Sequence, residues 1–118
     1  MTSVDAEASL IELAVEGWRF ARVFARALGK LDAGEANRYA NQLRYFCRKI
    51  EASLVPYGFV LVNIEGHKFD TGMAVSAVNL GDFESADDLV VEQMIEPIIM
   101  GQNGLRKPGV VLLRKEHA

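Results

Sequence analysis

Two histidines (His67 and His117), one cysteine (Cys47) and an adjacent acid pair (Asp87-Asp88) are the side chains of this 118-residue chain best suited to hold a metal or move a proton. Their spacing argues against both roles. No two of His67, His117 and Cys47 stand at the short separations that build a zinc site, and His117 lies beside the C-terminus. His67 falls in Glu65-Gly66-His67-Lys68, which reads as a solvated turn. Asp87-Asp88 lacks the alternating acids of a calcium loop, and adjacent acids in a connection are ordinarily solvated. Cys47 sits mid-helix beside an apolar seam and reads as a small hydrophobe. No serine occupies a strand-to-helix elbow. Gly101-Gln102-Asn103-Gly104 is followed by Arg106-Lys107-Pro108, which suits an edge strand and not the helix that a phosphate loop must open. The chain is therefore expected not to be an enzyme and to carry no cofactor or metal.

Charge narrows the remaining classes. Residues 1–58 carry eight Lys/Arg against seven Asp/Glu, and residues 59–118 carry five against nine. Arg19, Arg22 and Arg26 make a basic stripe that reads first as a solvated helix face. With Arg38, Arg44 and Arg48 they could serve a nucleic-acid-binding dimer, but the acidic second half opposes that reading. No apolar run approaches the roughly 18–20 residues that cross a bilayer. The acidic start, MTSVDAEASLIE, lacks the positive region of a signal peptide, and a lone cysteine suits a reducing cytoplasm. The expectation is a cytoplasmic protein that binds neither membrane nor nucleic acid.

The elements that carry these residues fall into two halves, 1–58 helical and 59–118 stranded. Residues 4–31 lack proline and read as one helix, with Ser3 as N-cap and Asp5 and Glu7 in its first turn. One apolar seam runs Leu10, Leu13, Gly17, Phe20, Phe24, Ala27, Leu31; a second runs Ile11, Ala14, Trp18, Ala21, Ala25, Leu28. Each has heptad rhythm, and together they are wider than one partner helix covers. A second helix begins at Asp32, whose spacing to Glu35 fits a capping box, and ends at Pro56 and Gly58. Its seam is Ala36, Tyr39, Leu43, Phe46, Ile50, Tyr57. One helical hairpin cannot cover both seams of its own first helix, whereas two hairpins from two subunits make a four-helix bundle. The residues expected to dimerise are Leu10, Leu13, Phe20, Phe24, Leu28, Leu43, Phe46 and Ile50.

After Gly58 the period becomes strand-like. Phe59–Val62 is a short apolar run, Met73, Val75 and Ala77 alternate, and Leu89, Val91, Gln93 and Ile95 are expected on one face of a strand. Ile98–Met100 and Val110–Leu113 flank a connection rich in glycine and cations, as the arms of a hairpin would. Gln102-Asn103-Gly104 can supply a positive φ, and Pro97 and Pro108 should sit at an edge, a strand start or a bulge. The fold class is α+β: an N-terminal helical hairpin forming a dimeric four-helix bundle, then a small all-β wing domain.

This order of parts resembles the GrpE family, nucleotide exchange factors for DnaK-type chaperones. Val23-Phe24-Ala25-Arg26-Ala27-Leu28 keeps the Arg-Ala-Leu of the family's N-L-x-R-A-L segment, and Tyr57-Gly58-Phe59 stands where its aromatic-Gly-Val step leads into a strand. Gly66, Phe69 and Asp70 match a Gly before Phe-Asp-Pro, and Ala77-Val78 matches a later Ala-Val. Val91, Met94, Met100, Leu105, Arg106, Pro108, Val110 and Leu112 follow the closing element. The resemblance covers roughly residues 10 to 114. Departures are the family histidine, replaced near Ala74; a Gly-Tyr pair, aligned with Pro97-Ile98; an arginine, aligned with Asn103; and the long paired N-terminal stalk helices, which have almost no room here.

The resemblance implies a homodimer whose wing meets the nucleotide-binding domain of a DnaK-type chaperone and opens its cleft so that ADP leaves. The contact residues it implies are Met94, Gln102, Asn103, Arg106 and Leu112 on the wing, and Arg26 and Gly29 on the bundle side. A dimeric adaptor of the same fold that has lost exchange is the alternative.

Overall fold

The computed structural model describes residues 5–116. Helix α1 (Ala6–Leu28) starts at Asp5, whose extended backbone lets its carboxylate accept the Ala8 N–H at 3.1 Å. Ser3, expected as the cap, lies outside the described residues; the acid expected in the first turn is itself the cap. The helix stops at Leu28 because the next amides tighten: Gly29, Lys30 and Leu31 donate to the carbonyls of Arg26, Ala27 and Leu28. Leu31 thus belongs to the connection and not to the first seam, and it is exposed.

Helix α2 (Ala33–Leu54) is capped by Asp32, which accepts the Glu35 N–H at 3.0 Å, the half of the capping box that the Asp32/Glu35 spacing implied. Its end is a single 3-10 turn, Val55–Tyr57, holding Pro56, followed by Gly58 at φ 73°, a left-handed conformation that glycine adopts without steric cost. Tyr57 is therefore off the α2 seam; its ring stacks on Phe59 with centroids 6.0 Å apart. The two helices run antiparallel through paired contacts. Phe24 meets Tyr39 edge-on at 6.4 Å, Phe20 meets Phe46 edge-on at 6.1 Å, and Ile50 packs over Gly17.

Contacts divide the chain into two compact units at the Val60/Leu61 step. The second, apart from Val60 at the start of the first strand, holds two three-stranded sheets. In one, β4 (Ile98–Gly101) lies between β1 (Val60–Val62) and β5 (Gly104–Lys107); in the other, β6 (Gly109–Lys115) lies between β2 (Val75–Ala77) and β3 (Leu89–Glu96). β6 pairs parallel with β2 and antiparallel with β3. Each proline marks a passage from one sheet to the other: Pro97 between β3 and β4, Pro108 between β5 and β6. Neither could donate to a ladder, so both fall at breaks in pairing, as strand-start positions require.

Two expectations about this unit are corrected. The hairpin joins β4 to β5, so Val110–Leu113 is not its second arm; that run is the central strand of the other sheet, with Val111 and Leu113 buried on one face and Val110 and Leu112 half-buried on the other. Strict alternation along β3 also fails. The register slips between Val91 and Gln93 and again between Met94 and Glu96, so that Val91 and Met94 both lose all solvent contact while Gln93 and Ile95 are only half-buried. Val91, Met94, Ile99, Val111 and Leu113 form the core.

Side chains and a loop complete what such short strands cannot. The outer edge of β3 is covered by residues 65–69: the Gly66 and Phe69 amides donate to Val91 and Leu89, and the Val91 amide donates to His67. Asn79 holds β6 like one more strand residue, its amide nitrogen donating to the Leu113 carbonyl and its oxygen accepting the Leu113 N–H, both at 2.9 Å.

Candidate functional site

The helical unit retains a band of apolar surface. Leu13, Phe20 and Val23 are 70%, 59% and 61% exposed, and Tyr39 and Phe46 remain open on α2. None of the residues expected to dimerise (Leu10, Leu13, Phe20, Phe24, Leu28, Leu43, Phe46, Ile50) is buried within the single chain. The buried positions of α1 are instead Ile11, Ala14, Val15 and Ala21, largely the second seam. Between the helices an open groove of about 430 Å³ is lined by Leu10, Leu13, Ala14, Phe46, Ile50 and Leu54. Single exposed apolar residues are unremarkable on a protein surface, but a contiguous apolar band with a groove in it is the kind of surface that another chain covers.

Cations border this unit without forming a bare stripe. The Arg22 guanidinium lies 5.2 Å from the centre of the Trp18 ring, and its partial burial lowers its pKa; Arg38 lies over Tyr39 and Lys49 over Tyr45. Arg26 is exposed in the last turn of α1, where its charge complements the helix dipole. Gly29 is the exposed C-cap with right-handed φ and ψ, a conformation that does not itself require glycine.

In the β unit the remaining expected contacts separate into a tip and a core. Gly101 and Gly104 pair across a two-residue turn, Gln102-Asn103, and both turn residues are exposed. Within this turn positive φ falls on Gly104, at 113°. Arg106 follows on β5, exposed, and its Cγ lies where a Cβ on Gly101 would come within 2.8 Å. Close approach at Gly101 lets the arginine stem fold back over the turn. The base of the hairpin is fixed by Lys107, whose ammonium lies 2.7 Å from Glu96 at the end of β3, with side chains 28% and 19% exposed. A partly buried, charge-assisted hydrogen bond of this kind holds the tip more firmly than a surface pair would.

Met94 does not belong to any contact surface. It is fully buried, its sulfur accepts the Ile64 N–H at 3.2 Å, and its methyl group packs against Gly109; this corrects its assignment as a wing contact, since β3's register slips turn it inward. Leu112 is half-buried opposite Gln93. Leu105, 48% exposed on the edge strand opposite Met100, was missed as a surface residue. Strand alternation gave no signal for it, because Leu105 and its neighbour Arg106 are both exposed, as an edge strand allows.

His67 is exposed and Cys47 half-buried. Among the described residues no cluster of three or more His, Cys, Asp or Glu could hold a metal, and no helix is long and apolar enough to cross a membrane. No protein-family model, curated protein or solved structure matches the chain.

Proposed function

We propose that the chain is a homodimeric, GrpE-like co-chaperone that binds the nucleotide-binding domain of a DnaK-type chaperone and promotes ADP release. Two helical hairpins pair through the exposed seam into a four-helix bundle, and each copy presents a β wing. The observation that carries this reading is the accessibility, in one chain, of every seam residue assigned to the bundle. Burying such a band stabilises by about 25 cal/mol per Å² of apolar surface, a large gain for so small a chain.

The wing contact consists of Gln102, Asn103, Leu105 and Arg106 on a hairpin tip whose base is clamped, together with the half-buried Leu112 of β6. Arg26 and Gly29 supply the contact on the helical unit. The mechanism is differential affinity: a factor that binds the open nucleotide cleft more tightly than the closed one shifts the chaperone toward opening, and ADP affinity falls by the same factor. No reacting group is needed.

The adaptor alternative keeps the dimer and the chaperone contact without opening the cleft. The burial of Met94 favours it, because one residue of the wing contact implied by the resemblance is thereby withdrawn from the surface. Stopped-flow release of fluorescent ADP from each DnaK-type chaperone of the source organism separates the two. Exchange predicts acceleration that saturates with the dimer and weakens in Arg106→Ala. Binding without acceleration establishes the adaptor; neither binding nor acceleration removes both readings.

A further inference from the structure

A second cavity, of about 450 Å³, opens on the surface of the β unit beside the segment that leads into β3. Its walls include the rings of Phe69 and Phe83, both half-buried, and its rim carries four carboxylates and one lysine. Two of those carboxylates are already engaged. Asp87 accepts the Glu84 N–H at 2.9 Å and lies 3.8 Å from the Lys115 ammonium, while Glu116 lies 3.7 Å from Lys68. The segment is fixed as well, since the Asp87 amide donates to the Glu84 carbonyl and the Glu116 amide to that of Asp88. Among the described residues, the carboxylates of Glu84 and Asp88 have no hydrogen bond or ion pair.

We infer that this cavity receives an arginine or lysine side chain presented by a partner polypeptide. The chemistry is set by the combination of wall and rim. A neutral apolar occupant would gain nothing from the two unpaired carboxylates of the rim, and an anion would be repelled. A long cationic side chain satisfies both parts: its methylene stem lies along the aromatic walls, and its head reaches Glu84 and Asp88 or the negative face of a ring. The cavity is open at the surface, so the partner's backbone stays in solvent while only the side chain enters. This site lies outside the hairpin tip proposed above and does not depend on the exchange reading.

The test is a titration of the full-length, ¹⁵N-labelled chain, followed by amide chemical shifts, with three capped tripeptides that differ at the central residue: arginine, lysine, or citrulline, the neutral isostere of arginine. The expected result is saturable shifts at Phe69, Phe83, Ser85 and Leu89 with either cationic peptide and none with citrulline. The double variant Glu84→Gln/Asp88→Asn, whose altered side chains are exposed, should keep the wild-type amide fingerprint elsewhere and bind roughly fivefold more weakly or worse. The inference is overturned by equal shifts from citrulline, by shifts spread over every acidic loop, by no shifts, or by undiminished binding in the double variant.

Discussion

The terminal methyl of Ile50 occupies the space that a side chain on Gly17 would fill, so α2 packs a side chain directly onto the α1 backbone where α1 has no Cβ. Glycine costs roughly 1 kcal/mol inside a helix relative to alanine, and its presence mid-helix is explained by this contact. Gly17→Leu should therefore push the helices apart and destabilise the chain by about 1–3 kcal/mol, read from the urea midpoint. Adding Ile50→Ala should restore part of that loss. If the two changes were simply additive, the contact would not be what holds the helices close.

Asn79 replaces a strand where none is long enough. Its two hydrogen bonds to Leu113 are partly buried, and Asn79→Ala removes both while leaving the Leu113 amide and carbonyl to find other partners. The expected loss is about 1–3 kcal/mol, with faster amide exchange at Leu113 than at Val91, a core residue Asn79 does not bond. Uniform acceleration across the β unit would mean that Asn79 acts globally and not as a local clamp.

Cys47 offers a chemical readout of α2. Partial burial raises the thiol pKa, and Glu51 one turn later adds to the rise by its charge. Because the thiolate is the nucleophile, alkylation by iodoacetamide at neutral pH should be slower than that of an unperturbed thiol, and the two rates should converge only once pH exceeds the raised value. Glu51→Gln removes the smaller cause and should speed the reaction modestly. A rate at or above that of a free thiol in the wild type would contradict the described environment.

Legibility in the sequence followed how local each determinant is. Asp32 and Glu35, Pro56 and Gly58, and Pro97 and Pro108 act through their own backbone, and their positions sufficed to place the start of α2, its end and two strand boundaries, though not the division into two sheets that those boundaries serve. Met94 could not be placed that way. Its inward direction depends on register slips in β3 set by pairing with β6, a long-range effect invisible to alternation counting. For the same reason Val110–Leu113 looked like a hairpin arm, when its partners are β2 and β3. Leu105 was passed over because an isolated leucine between Gly104 and Arg106 reads as core until its strand is known to be an edge. The helical seams were readable as apolar, and the exposure of Leu13 and Phe20 follows from the same surplus of apolar positions.

Everything proposed for the helical unit rests on a second copy covering that surplus. Sedimentation equilibrium of the wild type, beside Phe24→Asp and Leu43→Asp, tests this most directly. The account predicts a species of twice the 13.0-kDa chain mass for the wild type. It predicts monomer or unfolded chain for each variant, because an unpaired carboxylate would be buried in the bundle. A wild-type chain that sediments as a stable, folded monomer, with both variants equally folded, would contradict it.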